Sequence, residues 1–307
     1  MASLRDIRRR IGSVKNTRQI TRAMKLVAGA KLRRATDAAV AARPYQQTLS
    51  RVLGRVAQSA GDVEHPLLSV PDNDTDVIVV LMTSDRGLCG GFNSQLCKRT
   101  QEQVETLLAA GKNVTVLCYG KKGLGHFKNR GYQVERGAID IAPQSYPDLS
   151  RQLAERLVDE MVAHKFSKVY LAFNEYKSAM TQTPAFQQLL PMKLEAVGDP
   201  KGQAGPAGEA AHMLEKLGAA NPSAEYLYEP GGAEILSRLL PMALRTRIQQ
   251  AFLETQAGEQ AARMTAMDNA TRNAGELITA LSLEYNRARQ AAITTELTEI
   301  VSGAEAL

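Results

Sequence analysis

From Ser3 to about Ala57 the chain carries a single proline, Pro44, and few strand-like clusters, while apolar or small residues return at 7, 11, 14, 17, 20, 24, 27, 31/32, 35 and 38. Steps of three and four kept up for so long are the pattern of a helix with one continuous seam, built to lie lengthwise on another helix. At about 1.5 Å per residue, fifty-odd residues make a rod of roughly 80 Å, which no compact domain needs. Ser3 with Asp6 three residues on makes a plausible capping start. Such a helix obliges the rest of the chain to provide something long to pack against it.

The far end meets that demand. From Gly232 to about Ser302 there are one Pro, Pro241, and three Gly in a run rich in Ala, Glu, Arg, Gln and Leu, which predicts a helix of about 70 residues, or roughly 105 Å. Its seam, read at Leu239, Met242, Phe252, Ala262, Ala266, Leu277, Leu281, Ile293, Leu297 and Ile300, is diluted by Thr, Asn and Gln. A seam this polar packs closely and binds weakly. Pro241 predicts a kink or a later helix start. An aromatic content of only 5%, with no Trp, suits helices that meet at narrow seams.

Between the rods the texture changes after the Pro- and Asp-rich "HPLLSVPDNDTD" (65–76). "DVIVVLMTS" (76–84), "NVTVLCYG" (113–120) and "KVYLAFNEY" (168–176) read as buried strands; "NSQLCKRTQEQVETLLAAG" (93–111) and "PDLSRQLAERLVDEMVAHKF" (147–166) read as helices. Strands alternating with helices imply a mostly parallel sheet covered on both faces. The fold class expected is therefore α/β, with a Rossmann-like parallel-sheet middle domain over 72–195 flanked by coiled-coil helices at 1–60 and 232–307. A flexible loop and foot segment falls at 196–231, with 198–222 rich in Gly, Pro and Ala.

Charge is distributed unevenly. Residues 1–51 hold 13 Lys and Arg against 2 Asp and Glu, so the other 256 residues hold 25 against 30. Between Asp6 and Asp37 there are ten cations and no acid. As a transit peptide this block has the right composition, but its heptad continues into a helix that is not disposable. As a nucleic-acid arm it lacks interleaved aromatics. A solvated helix face would forfeit the i,i+4 pairing that steadies such faces. A partner carrying complementary acids explains it better. No apolar run is long enough to span a bilayer as a helix, and Cys89, Cys97 and Cys118 suit a reducing compartment.

Candidate chemistry is sparse. "SDRGLCGGFN" (84–93) lies where a strand gives way to a helix, the usual place of phosphate-binding loops. It is neither G-x-G-x-x-G nor a loop ending in Gly-Lys-Ser/Thr, so a tight turn formed by Gly87, Gly90 and Gly91 is the favoured reading, with Cys89 a small buried thiol. Lys121, Lys122, Gly123 and Gly125 read as solvated turn residues. His65, His126, His164 and His212 sit in four different kinds of element and suggest no metal site. No catalytic residue, cofactor site or metal site is expected. A nucleotide-binding α/β protein with coiled-coil arms remains the alternative.

"SLRDIRRRIGSVKNTRQITRAMKLVAGAKLRRA", "TSDRGLCGGFN", "YLYEP" (226–230) and "EQAARMTAMDNATRNAGELI…YNRARQAAITTELTEIVSGAEAL" occur in collinear order over essentially the whole chain. Together they resemble the gamma subunit of the rotary F-type ATP synthase. The resemblance implies that the terminal helices wind into an antiparallel left-handed coiled coil inside a ring of alpha and beta subunits, above a membrane-embedded c-ring with an epsilon subunit alongside. It implies a non-catalytic shaft that carries torque from the proton-driven c-ring to the catalytic beta sites. Position by position, it assigns beta contacts to Met24, Arg263, Arg289, Gln290, Thr294 and Glu296, and c-ring or epsilon contacts to Tyr226, Tyr228 and Glu229. It implies no nucleic-acid partner. The place implied is the cytoplasmic face of a bacterial inner membrane, which the absence of a cleavable leader favours over the matrix face of a mitochondrial one.

Overall fold

The computed structural model describes residues 4–60, 65–69, 74–193 and 231–305. In chain order its elements are α1 (Leu4–Ala60), β1 (Asp76–Met82), α2 (Phe92–Ala109), β2 (Asn113–Tyr119), α3 (Lys121–Lys128), β3 (Val134–Ala138), α4 (Tyr146–Val162), β4 (Lys168–Tyr176), β5 (Gln182–Leu190) and α5 (Gly232–Glu305). Two compact units are distinguishable, one formed by Lys31–Ala262 and one by Met1–Ala30 with Arg263–Leu307.

In the first unit, β1 is apolar after its first residue, and every residue from Val77 onward is buried. A strand apolar on both sides must sit inside a covered sheet. The order is β3-β2-β1-β4-β5, with β1 parallel to both β2 and β4. The strands expected at 76–84, 113–120 and 168–176 are all present, and the sheet is mostly parallel as predicted. Two edge strands are additions. β3 is the short, half-exposed "VERGA", and β5, antiparallel to β4, is the polar "QTPAFQQLL". Edge strands are kept short, polar or proline-bearing because their outer backbone faces water, so neither reads as an apolar run.

Each face of the sheet has its own core. Val77, Val79 and Leu81 pack with Leu96, Val104, Cys118 and Phe127 on one side. Ile78, Val80 and Met82 pack on the other with Leu153, Leu157 and Met161 of α4 and with Leu236, Leu240, Leu244, Ile248 and Phe252 of α5. This second contact answers the question raised by Pro241. A helix-interior proline costs about 3 kcal/mol, yet α5 begins at Gly232 and is helical through Pro241. Leu236, Leu240, Leu244 and Ile248 are each no more than 1% exposed. At about 1.5–3 kcal/mol per buried aliphatic side chain, four of them outweigh the lost backbone bond. The later start did not occur.

Lys121–Gly125, expected as a solvated turn, instead opens α3. The reason is close packing: a Cβ at Gly123 would meet Leu81 Cδ2 at 2.8 Å and Thr83 Oγ1 at 2.9 Å. Gly120, with φ of 100°, would place its Cβ 2.1 Å from the Thr83 carbonyl oxygen. These glycines let a helix start against the sheet rather than a loop leave it.

In the second unit the α1 and α5 segments run antiparallel. Lys25 Nζ meets Asp268 Oδ1 at 2.6 Å, and Thr271 Oγ1 donates to Thr21 Oγ1 at 2.8 Å. A Cβ at Gly29 would lie 3.5 Å from Met264 Sδ. Burial along α1 returns at Ile7, Thr21, Ala28 and Ala35, with half-buried Val14 completing that row, and again at Leu32 and Ala39 beside half-buried Ile11 and Lys25. A strict seven-residue repeat gives a left-handed supercoil. The observed seam therefore differs from the expected one: Thr17, Ile20, Val27 and Ala38 are exposed, Ile20 at 60% and Val27 at 55%. The largest apolar residues suggested a register one step off, whereas the heptad is kept by Thr and Ala. On α5, Phe252 and Leu281 are buried as expected, but Met242, Leu277, Ile293, Leu297 and Ile300 are exposed.

Candidate functional site

The outer surface of the second unit carries what the sequence singled out. Arg8, Arg9, Arg10, Lys15, Arg18 and Arg22 are all exposed on α1, and Lys31, Arg33 and Arg34 continue the series along the same helix. Met24 is half-buried, one turn from Ile20 on one side and from Val27 on the other. Residues at i, i+4 and i+7 share a helix face, so these three form an apolar stripe within a basic surface. Arg263 is buried at 9% on α5.

Arg289, Gln290, Thr294 and Glu296 are exposed near the far end of α5. The pairs Lys25–Asp268 and Thr21–Thr271 set a register in which Leu4 falls opposite roughly residue 289. Beyond that point no described residue of α1 faces α5, and every described side chain from Ile293 to Ser302 is exposed. The predicted beta contacts thus fall in two places, Met24 and Arg263 on the paired part and the other four on the unpaired end. Tyr226, Tyr228 and Glu229 lie outside the described residues, as does the 198–222 stretch.

The loop 84–93 is closed on itself. Asn93 Oδ1 accepts from the Ser84 amide at 3.0 Å, Asn93 Nδ2 donates to Ser84 Oγ at 2.8 Å, and Ser84 Oγ donates to the Arg86 carbonyl at 2.7 Å. Asp85 caps α3 by accepting from the Lys121 amide at 2.9 Å, and holds the following loop through the Ile141 amide at 3.1 Å. The crevice at the carboxyl ends of β1 and β4, where an α/β sheet would take a nucleotide, is filled from within. Asn174 donates to the Phe92 carbonyl at 3.2 Å, and Phe92 Cε2 lies 2.9 Å from the Cβ position of Gly258 on α5. This is the tight turn the sequence favoured, and it leaves the nucleotide alternative without a site there.

Cys89 is buried and accepts from Asn93 Nδ2 at 3.2 Å. Burial pushes the Cys97 and Cys118 thiols up to about 12, which keeps them protonated and inert. Among the described residues no group of three His, Cys, Asp or Glu side chains is placed to hold a metal ion, and no helix is long and apolar enough to cross a membrane.

Two polar clusters escaped the sequence reading. Asp74 Oδ2 meets Lys168 Nζ at 2.8 Å and Lys112 Nζ at 3.1 Å, joining the starts of β1, β2 and β4. The Lys168 hydrogen bond, foremost, lowers the Asp74 carboxyl to about 2. The other cluster gathers half-buried groups around one buried carboxylate: Gln46 Nε2 of α1 donates to Gln250 Oε1, Gln250 Nε2 donates to Glu254 Oε1 at 2.6 Å, and the Tyr176 amide of β4 donates to Glu254 Oε2 at 3.3 Å. A polar residue on a mixed helix face reads as solvated, so only the tertiary contact reveals it.

The chain combines a long helix pair with a small-residue seam and a mostly parallel α/β sheet, and both features can be compared with known proteins. The family model described as ATP synthase matches residues 3–307. An ATP synthase gamma chain from Trichlorobacter lovleyi is 42% identical over 307 residues, covering 100% of this chain and 99% of its own. The chain belongs to the ATP synthase gamma-chain family. The gamma chain of Geobacter metallireducens is 44% identical over 307 residues, with coverage of 100% and 99%. Among solved structures, a chain of the Euglena gracilis mitochondrial ATP synthase, in an assembly described as OSCP/F1/c-ring in rotational state 3, superposes with a TM-score of 0.65 at 23% identity, covering 99% of this chain and 94% of that one. At that identity the likeness is one of fold.

Proposed function

We propose that this gamma chain is the central rotor shaft of an F-type ATP synthase. It makes and breaks no bonds itself. It carries torque from a proton-driven c-ring to the catalytic sites of an alpha-beta ring, coupling two distant sites through one stiff element. The observation that carries this reading is the helix pair of the second unit. Its seam is built from Thr21, Ala28, Gly29 and Met264, and its outer face carries a long series of exposed cations beside exposed apolar residues such as Ile20, Leu26 and Val27. Small seam residues let the two backbones approach closely and keep the pair slim, as a shaft that turns inside a ring requires.

Within this reading residues 1–60 and 232–307 form the shaft, 72–195 the body that meets the c-ring and epsilon subunit, and 196–231 the foot. Met24, Arg263, Arg289, Gln290, Thr294 and Glu296 contact the beta subunits, whose acidic segments complement the basic block of α1. Tyr226, Tyr228 and Glu229 contact the c-ring or epsilon subunit. The chain is peripheral to the membrane through the c-ring, on the cytoplasmic face of a bacterial inner membrane, in keeping with the bacterial relatives.

The test is direct. With the alpha-beta ring fixed to a surface and a bead on the sheet unit, ATP should turn the bead in one direction. A complex that assembles and hydrolyses ATP while the bead stays still would sink the proposal.

A further inference from the structure

We infer that Glu254 is a positioning residue that fixes the rotational setting of α5 against the sheet, so that torque enters the shaft at a defined angle. This rests on the rotor reading and adds to it the place where load crosses from sheet to helix.

Most of the contact between α5 and the sheet is apolar, through Leu240, Leu244, Ile248 and Phe252. Such contact resists separation strongly and its close packing limits rotation, but apolar burial is itself non-directional and sets an angle less sharply than a hydrogen bond does. Hydrogen bonds are directional, and one that ends on a buried carboxylate is costly to break. α5 has two such ties to the antiparallel edge of the sheet. Arg247 Nη2 donates to Gln187 Oε1 of β5 at 2.7 Å, and seven residues on, along the same face, Glu254 accepts from the Tyr176 amide of β4. Through Gln250 and Gln46 the second tie also reaches α1, so three elements meet at one carboxylate.

Stability alone does not account for the choice of Glu. The residue is 7% exposed, and burial pushes its carboxyl up, only partly offset by the Gln250 and Tyr176 donors. Apolar residues of similar volume at such a place are often as stable or more so. Arg43 faces the cluster from α1, and the cavity that they line with Ala39 and Leu253 admits roughly one water molecule, enough to bridge but not to solvate. A polar network that does little for stability while its bonds set an angle is a registration device. Its location suits transmission, since Ala262, eight residues beyond Glu254, closes this unit.

The test uses the assembled complex with the alpha-beta ring fixed and a bead on the sheet unit. Two variants cut the network differently. Glu254→Gln can accept from only one of its two donors, and Gln46→Leu frees α1 without touching Glu254. In paused complexes the angular variance of the bead should rise about twofold for Glu254→Gln, because two sheet ties acting in parallel become one, and by less for Gln46→Leu, which leaves both sheet ties in place. Melting of the complex should move by no more than the few degrees expected for one hydrogen bond. Unchanged variance in both variants overturns the inference, as does variance that rises only as melting and ATP hydrolysis fall together, the mark of a structural role. A native complex that never turns overturns the rotor reading and this inference with it.

Discussion

The two units bury different things. In the sheet unit the most deeply enclosed side chains are large, Phe127, Leu53, Leu81, Met82, Leu117 and Leu157 among them, and each face of the sheet is sealed by helices. In the helix-pair unit the seam is Ile7, Thr21, Ala28, Met267, Ala274 and Leu281, while Ile20, Leu26 and Val27 face outward. Large interlocking side chains hold one arrangement at high cost to any other; small ones let two backbones approach closely with little energy at stake per residue. The same chain thus contains a block built to keep its shape and a rod built to be slim.

The largest effect should come from the block. Phe252 stacks on Tyr146 with centroids 5.2 Å apart and meets Tyr119 edge-on at 5.3 Å. Phe252→Ala should cost about 3–5 kcal/mol in chemical denaturation of the full chain. A loss below about 1 kcal/mol would erase the contrast between the units. Ala28, 1% exposed, tests the rod by the opposite operation. Ala28→Leu should cost about 1–3 kcal/mol through overpacking. Amide exchange should quicken within 4–30 and 263–305 and stay unchanged in β1 and β2; faster exchange in the strands would show that the units do not open separately.

Smaller again is the Asp74 cluster, a third exposed and therefore screened by water. Its carboxyl is lowered in the folded chain from 3.8 to about 2, so its contribution is fully present above pH 3.8 and is lost as pH falls towards about 2. Unfolding followed across that window should show a slope that Asp74→Asn flattens; equal slopes would remove the cluster from the account. The smallest effect belongs to Lys25–Asp268, whose side chains are 40% and 54% exposed. Lys25→Ala should cost about 0.2–1 kcal/mol, fading in high salt. A larger, salt-insensitive loss would mean that the rod is held by its charges after all.

Legibility followed the same division. The buried strands at 76–82, 113–119 and 168–176 were readable because an unbroken apolar run has few other uses. Both long helices were readable from period and from the scarcity of breakers. Their exact seams were not, since Thr21 and Ala28 carry no more hydrophobic signal than their neighbours, and the eye goes to Ile20 and Val27. α3 was hidden because Gly123 reads as a loop residue, although it is there for close approach to Leu81 and Thr83. Of the residues singled out, Met24, Arg263, Arg289, Gln290, Thr294 and Glu296 came from resemblance, and no pattern of charge or spacing would have picked them. Glu254 and its neighbours gave no signal, because a buried carboxylate and a solvated one look alike in one dimension.

The unpaired end of α5 has a property that its exposure conceals. Thr294, Thr295, Thr298 and Ser302 each donate their hydroxyl to the carbonyl four residues back, at 2.8–3.0 Å. Every one of these donors is satisfied within the helix, beside Ile293, Leu297, Ile300 and Val301. Removing water from this segment would therefore strand none of those hydroxyl protons, and the usual penalty for dehydrating a polar side chain is largely avoided. Though it lies in solvent here, the tip is chemically ready for a dry socket.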